Sequence, residues 1–118
     1  MTWLKKFLKS FAYAFQGICE AFSERNFSIQ LVIGTIAVTA SFVLNIPMFQ
    51  KMIVVLCTAL VLATEAMNSA IERLLNFISR EHLEEIRAIK DLMAGAVLIF
   101  AIASFIIGIW IFGKFLLP

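Results

Sequence analysis

The spacing of apolar side chains divides the sequence into one amphipathic segment and three longer, continuously apolar ones. From Trp3 to Phe22, large apolar residues recur at three- and four-residue steps, which is the period of an α-helix. The opposite side of that helix carries Lys5, Lys6 and Lys9. A helix with aromatic side chains on one face and lysines on the other is typical of a membrane interface. We therefore predict that residues 1–23 form an amphipathic interfacial helix.

Each of the three apolar segments is long enough to cross a lipid bilayer. They cover residues 27–46, 51–78 and 89–114, and they are separated by a proline-containing turn and by a charged segment. A hydrocarbon core of roughly 30 Å requires about 20 apolar residues in helical conformation. The pattern therefore predicts an all-α membrane protein with three transmembrane helices, organised as a single domain over residues 1–118.

Composition supports a membrane location. Of the 118 residues, 62% are hydrophobic and 15% are charged, and the mean hydropathy is +0.96. A chain this short cannot hide that much apolar surface in its own core, so lipid must cover it. The net charge of +2 and the absence of a basic tract interleaved with aromatic residues do not favour nucleic-acid binding.

The distribution of positive charge predicts the orientation. Of the ten lysines and arginines, all except Lys51 and Lys114 flank the amphipathic segment or the loop between the second and third apolar segments. Positively charged loops stay on the cytoplasmic side of the membrane. We therefore expect the N-terminus in the cytoplasm and the C-terminus outside.

Polar residues form a stripe along the second predicted span. On an ideal helix, four residues fall within an arc of roughly 80°; they are Glu65, Asn68, Glu72 and Asn76. A carboxylate inside a membrane is costly, so it marks a functional site by default. The alternative for Glu65 is a polar clasp between helices, and for Asn68 it is interhelical hydrogen bonding. If Lys51 marks the outer face of the membrane, Glu72 lies at the cytosolic interface and Glu65 lies about 10 Å deeper in the bilayer. A lipid hydroxyl could then reach Glu65, and a water-soluble phosphate donor could reach Glu72.

Further charged residues are expected near the same membrane surface. Glu24, Glu72 and Asp91 would converge there, and such hard oxygen ligands suit Mg²⁺ together with substrate phosphates. Lys90 would contact phosphate, although it also fits positive-inside anchoring, and Asp91 also fits a helix N-terminus. The single histidine, His82, has no cysteine near it, so we expect no transition-metal site.

Residues 65–72 read Glu-Ala-Met-Asn-Ser-Ala-Ile-Glu, and residues 90–98 read Lys-Asp-Leu-Met-Ala-Gly-Ala-Val-Leu. These motifs resemble the prokaryotic diacylglycerol kinase family, which includes the undecaprenol kinases of Gram-positive bacteria. Residues 13–17 and 24–27 are similar to the Gram-positive branch. The resemblance covers nearly the whole chain, and the block between the two glutamates is its most specific part.

The resemblance implies a homotrimer of three-span subunits that uses Mg²⁺ and ATP to phosphorylate a membrane lipid alcohol, either undecaprenol or diacylglycerol. It assigns the catalytic base to Glu65 and the metal ligands to Glu24 and Glu72. The nucleotide- or substrate-binding positions that it implies are Asn68, Asn76, Lys90 and Asp91. The chain departs from the family at Asn76, where an aspartate is usual, and at Gln30, where Glu or His is frequent.

Two other functions remain open at this point. One is a lipid-phosphate phosphatase of the same fold. The other is a non-catalytic oligomeric membrane module, such as a small transporter subunit that uses Glu65 for proton coupling. A transporter would need a polar path that continues outward from Glu65, yet residues 52–63 offer only Cys57 and Thr58.

Overall fold

The structure, a computed structural model, describes residues 2–81 and 83–117, and its regular elements over these residues are four α-helices. Their bounds are Trp3–Ala21 for α1, Arg25–Val43 for α2, Met48–Ile78 for α3 and Glu84–Leu116 for α4. This architecture confirms the all-α fold class. The expectation about His82 concerns a residue outside the described ones.

Local sequence explains where the helices begin and end. The hydroxyl of Thr2 caps α1 by accepting a hydrogen bond from the backbone N–H of Lys5 at 3.3 Å. After the C-terminal end of α2, Asn45 has a φ of 54°, a left-handed conformation that asparagine tolerates better than most residues. The helix α2 therefore ends at Val43, three residues before the end of the apolar segment predicted at 27–46. Pro47 then precedes the first turn of α3, where its missing N–H is not needed.

The helix α3 lies between α2 and α4 and packs extensively against both. The helices α2 and α3 approach closely at Gly34, where an added Cβ would overlap the Cγ2 atom of Thr58. The Thr58 hydroxyl donates to the Val54 carbonyl at 2.9 Å, which satisfies this polar group inside the bundle. Small residues at such crossings let transmembrane helices approach closely.

The two ends of the bundle differ in character. At one end, the α2–α3 turn packs against α4 through a small buried cluster of Ile46, Val54 and Ile111. The other end, which we call the polar end, contains the start of α2, the end of α3 and the start of α4, together with the last turn of α1. All four helices thus place charged residues at this end of the bundle.

Much of the apolar surface remains exposed in a single subunit. The helices α2, α3 and α4 are each long and apolar enough to cross a membrane. Large side chains of α4 such as Leu92, Ile99 and Trp110 are more than two-thirds exposed. In water this surface would be unfavourable, so it requires contact with lipid or with other protein.

The helix α1 is amphipathic, and nearly all of its described side chains are exposed. Its aromatic residues contact one another along one side: Trp3 and Phe7 stack with ring centroids 5.3 Å apart, and Phe7 and Phe11 meet edge to face at 5.1 Å. An edge-to-face contact between Phe22 and Phe27 joins the end of α1 to the start of α2.

Candidate functional site

The polar stripe on α3 changes from buried to exposed along the helix. Glu65 is buried, with 5% of its surface exposed, although it carries an ionisable group. Asn68 is partly buried, and Glu72 and Asn76 are exposed. The same helix face therefore offers one carboxylate shielded from water and another that water-soluble molecules can reach.

Residues from α2 complete the surroundings of Glu65. The side chains of Asn68 and Asn26 lie close enough to the Glu65 carboxyl group to interact with it. The carboxylates of Glu72 and Glu24 are also near enough to affect its charge. This arrangement arises because α2 and α3 are antiparallel, so the first turn of α2 lies beside the last turns of α3. The structure thus brings together the predicted site residues Glu24, Glu65, Asn68 and Glu72.

Glu24 is held by an arginine of α3. The Nε atom of Arg73 donates to Oε1 of Glu24 at 2.9 Å, and its Nη2 atom donates to the same oxygen. The Nη1 atom of Arg73 donates to Oε1 of Glu20 at 2.8 Å, at the end of α1. Three separate parts of the chain meet at this guanidinium group.

A second polar contact joins α3 to α4. The Nζ atom of Lys90 donates to Oδ1 of Asn76 at 2.9 Å. These two residues border an open cavity of about 250 Å³ at the α3–α4 junction, which is also lined by Ser79, Arg80, Glu81, Leu83, Ile86 and Arg87. The amide of Asn76 therefore holds the ammonium group of Lys90 beside a basic cavity.

Asp91 does not join the carboxylates of α2 and α3. It accepts a hydrogen bond from Nη1 of Arg87 at 2.7 Å, one turn earlier on α4, and Arg87 also pairs with Glu84. Pairing at i and i+4 along one helix keeps Asp91 at the surface of α4. Over residues 2–81 and 83–117, no three histidine, cysteine or acidic residues are grouped so that they could hold a metal ion.

The residues present nevertheless fit a magnesium ion that is shared with a phosphate substrate. Mg²⁺ is usually held by one or two protein carboxylates and completes its shell with water and phosphate oxygens. Glu24 and Glu72 carry carboxylate oxygens of this kind, and both lie near enough to Glu65 to affect its charge. Both Arg73 contacts with Glu24 use Oε1. Within the described part of the chain, no residue donates a hydrogen bond to Oε2 of Glu24.

Sequence reasoning missed two residues of this site. Asn26 appeared only within residues 24–27, which resemble the Gram-positive branch, and Arg73 only among the positive charges that predict the orientation. The amide of Asn26 lies beside Glu65, and Arg73 binds Glu24, a residue 49 positions away. The available signal was the antiparallel order of two predicted spans, which places the first turn of α2 at the depth of Glu65.

Comparison with known proteins adds to this geometry. A family model described as prokaryotic diacylglycerol kinase matches residues 12–112. The undecaprenol kinase of Bacillus subtilis (strain 168) is 36% identical over 110 residues, which cover 92% of this chain and 89% of that protein. The diacylglycerol kinase of a Synechocystis species is 36% identical over 113 residues, or 94% of this chain and 62% of that protein. This chain thus spans less than two thirds of the Synechocystis protein.

Proposed function

Because this chain belongs to the prokaryotic diacylglycerol kinase family, we propose that its polar end is the active site of a lipid kinase. The chain is a membrane enzyme that phosphorylates a lipid alcohol with ATP as co-substrate. The observation that carries the assignment of the site is the buried Glu65, which lies beside Asn26 and Asn68 and close to two further carboxylates.

Glu65 acts as the general base. It lies on the membrane side of Glu72 along α3, where the hydroxyl group of a lipid reaches it without leaving the bilayer. A base must lie within hydrogen-bond reach of the proton that it accepts. The amides of Asn26 and Asn68 border the carboxyl group and orient it or the incoming hydroxyl.

Glu24 and Glu72 would hold Mg²⁺ together with the phosphates of ATP. The ion, when bound, neutralises negative charge that develops on the phosphate oxygens during transfer. Lys90 binds phosphate as a point charge, and Asn76 fixes the position of its ammonium group. Asp91 stays at the nucleotide-binding surface through its pairing with Arg87.

The active site faces the cytoplasm, where ATP is present. In this orientation the N-terminus is cytoplasmic, the C-terminus is outside, and α1 lies in the interface of the inner leaflet with its aromatic side inward. Residues 27–46, 51–78 and 89–114 cross the membrane, and residues 1–118 act as one domain. A homotrimer covers part of the exposed apolar surface of the three spans, as the family resemblance implies.

Undecaprenol is the substrate that we propose, since this chain covers 89% of the Bacillus subtilis undecaprenol kinase but only 62% of the Synechocystis diacylglycerol kinase, at equal identity. The test is transfer of ³²P from γ-labelled ATP to undecaprenol, diacylglycerol and ceramide, presented to the purified protein in detergent micelles. We expect labelled undecaprenyl phosphate to form fastest. Faster labelling of diacylglycerol would overturn the substrate assignment, and no labelling of any lipid would overturn the kinase function itself.

A further inference from the structure

Arg73 connects α3 to three consecutive parts of the chain around the start of α2. Besides its contacts with Glu24 and Glu20, its Nη2 atom donates to the hydroxyl oxygen of Ser23 at 3.2 Å. One guanidinium group of α3 thus binds the last turn of α1, the linker that follows it and the residue that precedes α2.

The contribution of this arrangement to stability is small. The side chains of Arg73 and Glu20 are 48% and 65% exposed, and exposed ion pairs are weakened by solvent and salt. Their geometry, however, is specific, because the planar guanidinium group presents its donors in fixed directions. The contacts therefore determine where the bound carboxylates point more than they determine whether the helices form.

The bound carboxylate of Glu24 is the one that matters for the site. Arg73 occupies its Oε1 through two N–H groups and leaves Oε2 without a hydrogen bond to any described residue. Glu24 also lies close to Glu65, and Arg73 directly follows Glu72 in sequence. The positive charge of Arg73 offsets the negative charge of Glu24, to which it is directly paired.

We propose that Arg73 is a positioning residue that holds the Glu24 carboxylate with Oε2 free to bind a divalent cation. The inference rests on the proposed metal-binding function of Glu24 and Glu72, and it makes metal affinity depend on the contact between α3 and the α1–α2 linker. Arg73 itself does not contact substrate.

The test compares metal affinity in the 118-residue parent protein and in Arg73→Gln. Binding of Mn²⁺, used as a paramagnetic probe for Mg²⁺, is followed by EPR in detergent micelles with a non-hydrolysable ATP analogue. We expect Arg73→Gln to weaken Mn²⁺ binding by roughly 10–100-fold, the usual effect of losing a residue that orients a metal ligand. The Mg²⁺ concentration for half-maximal kinase activity should rise in parallel, with kcat at saturating Mg²⁺ largely retained. Arg73→Lys keeps the positive charge but lacks the planar guanidinium group with its fixed donors. It should therefore weaken Mn²⁺ binding too, but by a smaller factor.

A double substitution separates positioning from a general structural role. In the Glu24→Gln background, Arg73→Gln should change Mn²⁺ affinity by no more than about twofold, because the carboxylate that Arg73 orients is already absent. The control Arg25→Gln, which removes an exposed arginine at the start of α2, should bind Mn²⁺ like the parent.

Two results would overturn the proposal: unchanged Mn²⁺ affinity in Arg73→Gln, or an equal loss in both backgrounds. A parent protein that binds Mn²⁺ with the nucleotide but labels no lipid would instead overturn the proposed function, and the comparison of affinities would still decide the role of Arg73.

Discussion

Glu65 and Glu72 occupy the same face of α3, yet their surroundings suit them to different chemistry. Glu65 is buried beside two amides, whereas Glu72 is exposed and lies seven residues closer to the C-terminal end of α3. Proton transfer from a lipid hydroxyl needs a base at membrane depth, whereas a hydrated cation with its nucleotide needs an accessible carboxylate. A difference of about 10 Å along the helix separates the two requirements.

We predict that Glu65→Gln lowers kcat by roughly 10²–10⁴-fold, because the amide keeps the volume of the side chain but cannot accept the hydroxyl proton. The affinity for Mg²⁺ with ATP should remain close to that of the parent. Single-turnover kinetics together with calorimetric titration of the purified variant check both parts. Near-normal turnover would remove Glu65 from the role of base.

Glu72→Gln provides the contrast, because it removes an oxygen ligand and leaves the base intact. Its activity should recover when Mg²⁺ is raised, unlike the activity of Glu65→Gln. Glu85→Gln, which changes an exposed carboxylate in the first turn of α4, serves as the control with parent kinetics. Unaltered metal–nucleotide affinity in Glu72→Gln would contradict its assignment as a ligand.

At the scale of the helices, the sequence predicts the elements more completely than it predicts their contacts. The apolar periodicity and the break at Asn45 and Pro47 are local signals, so they locate the helices to within a few residues. The contact of Gly34 with Thr58 and the pairing of Arg73 with Glu24 depend on how far each helix is rotated about its axis. No local pattern encodes that rotation, and the site residues that depend on it were missed.

The α2–α3 crossing gives a prediction at this scale. Gly34→Ala places a methyl group against Cγ2 of Thr58, so the two helices must separate. We expect a loss of stability of about 1–3 kcal/mol, the usual effect of overpacking a core. Thr58→Ser removes Cγ2 and keeps the hydroxyl, so Gly34→Ala combined with Thr58→Ser should recover most of that loss. Thermal unfolding in detergent measures all three variants, and additive losses in the double variant would show that the two residues do not meet.

At the scale of the whole molecule, charge and apolar surface have separate places. The acidic and basic groups of the site gather where α2 begins and α3 ends, whereas Ile46, Val54 and Ile111 form the buried cluster at the opposite end. The composition and the charge distribution are enough to predict that one end of the bundle is charged and the other apolar, because these properties depend on whole segments. Which individual side chains meet in the site is harder to predict: Asp91 was expected to join Glu24 and Glu72, but it pairs with Arg87 within α4.

The proposed orientation can be tested with the native cysteines. Cys19 is exposed on α1, whereas Cys57 is partly buried within α3. In intact cells, a membrane-impermeant thiol reagent should leave Cys19 unlabelled until the membrane is permeabilised. In a variant with Cys19→Ser and Leu116→Cys, the new thiol at the end of α4 should react without permeabilisation. The reverse pattern would place the active site outside and contradict the proposed orientation.

The short connection between α2 and α3 has a consequence for biogenesis. Only the four residues Leu44 to Pro47 separate the two helices, and none of them is charged. In the proposed orientation, this turn is the part of the first hairpin that must be translocated, while the charged loops stay on the side where the ribosome works. Insertion of α2 and α3 as a hairpin thus moves few polar groups through the hydrocarbon layer, and each charged group of the active site reaches its final compartment without crossing the membrane.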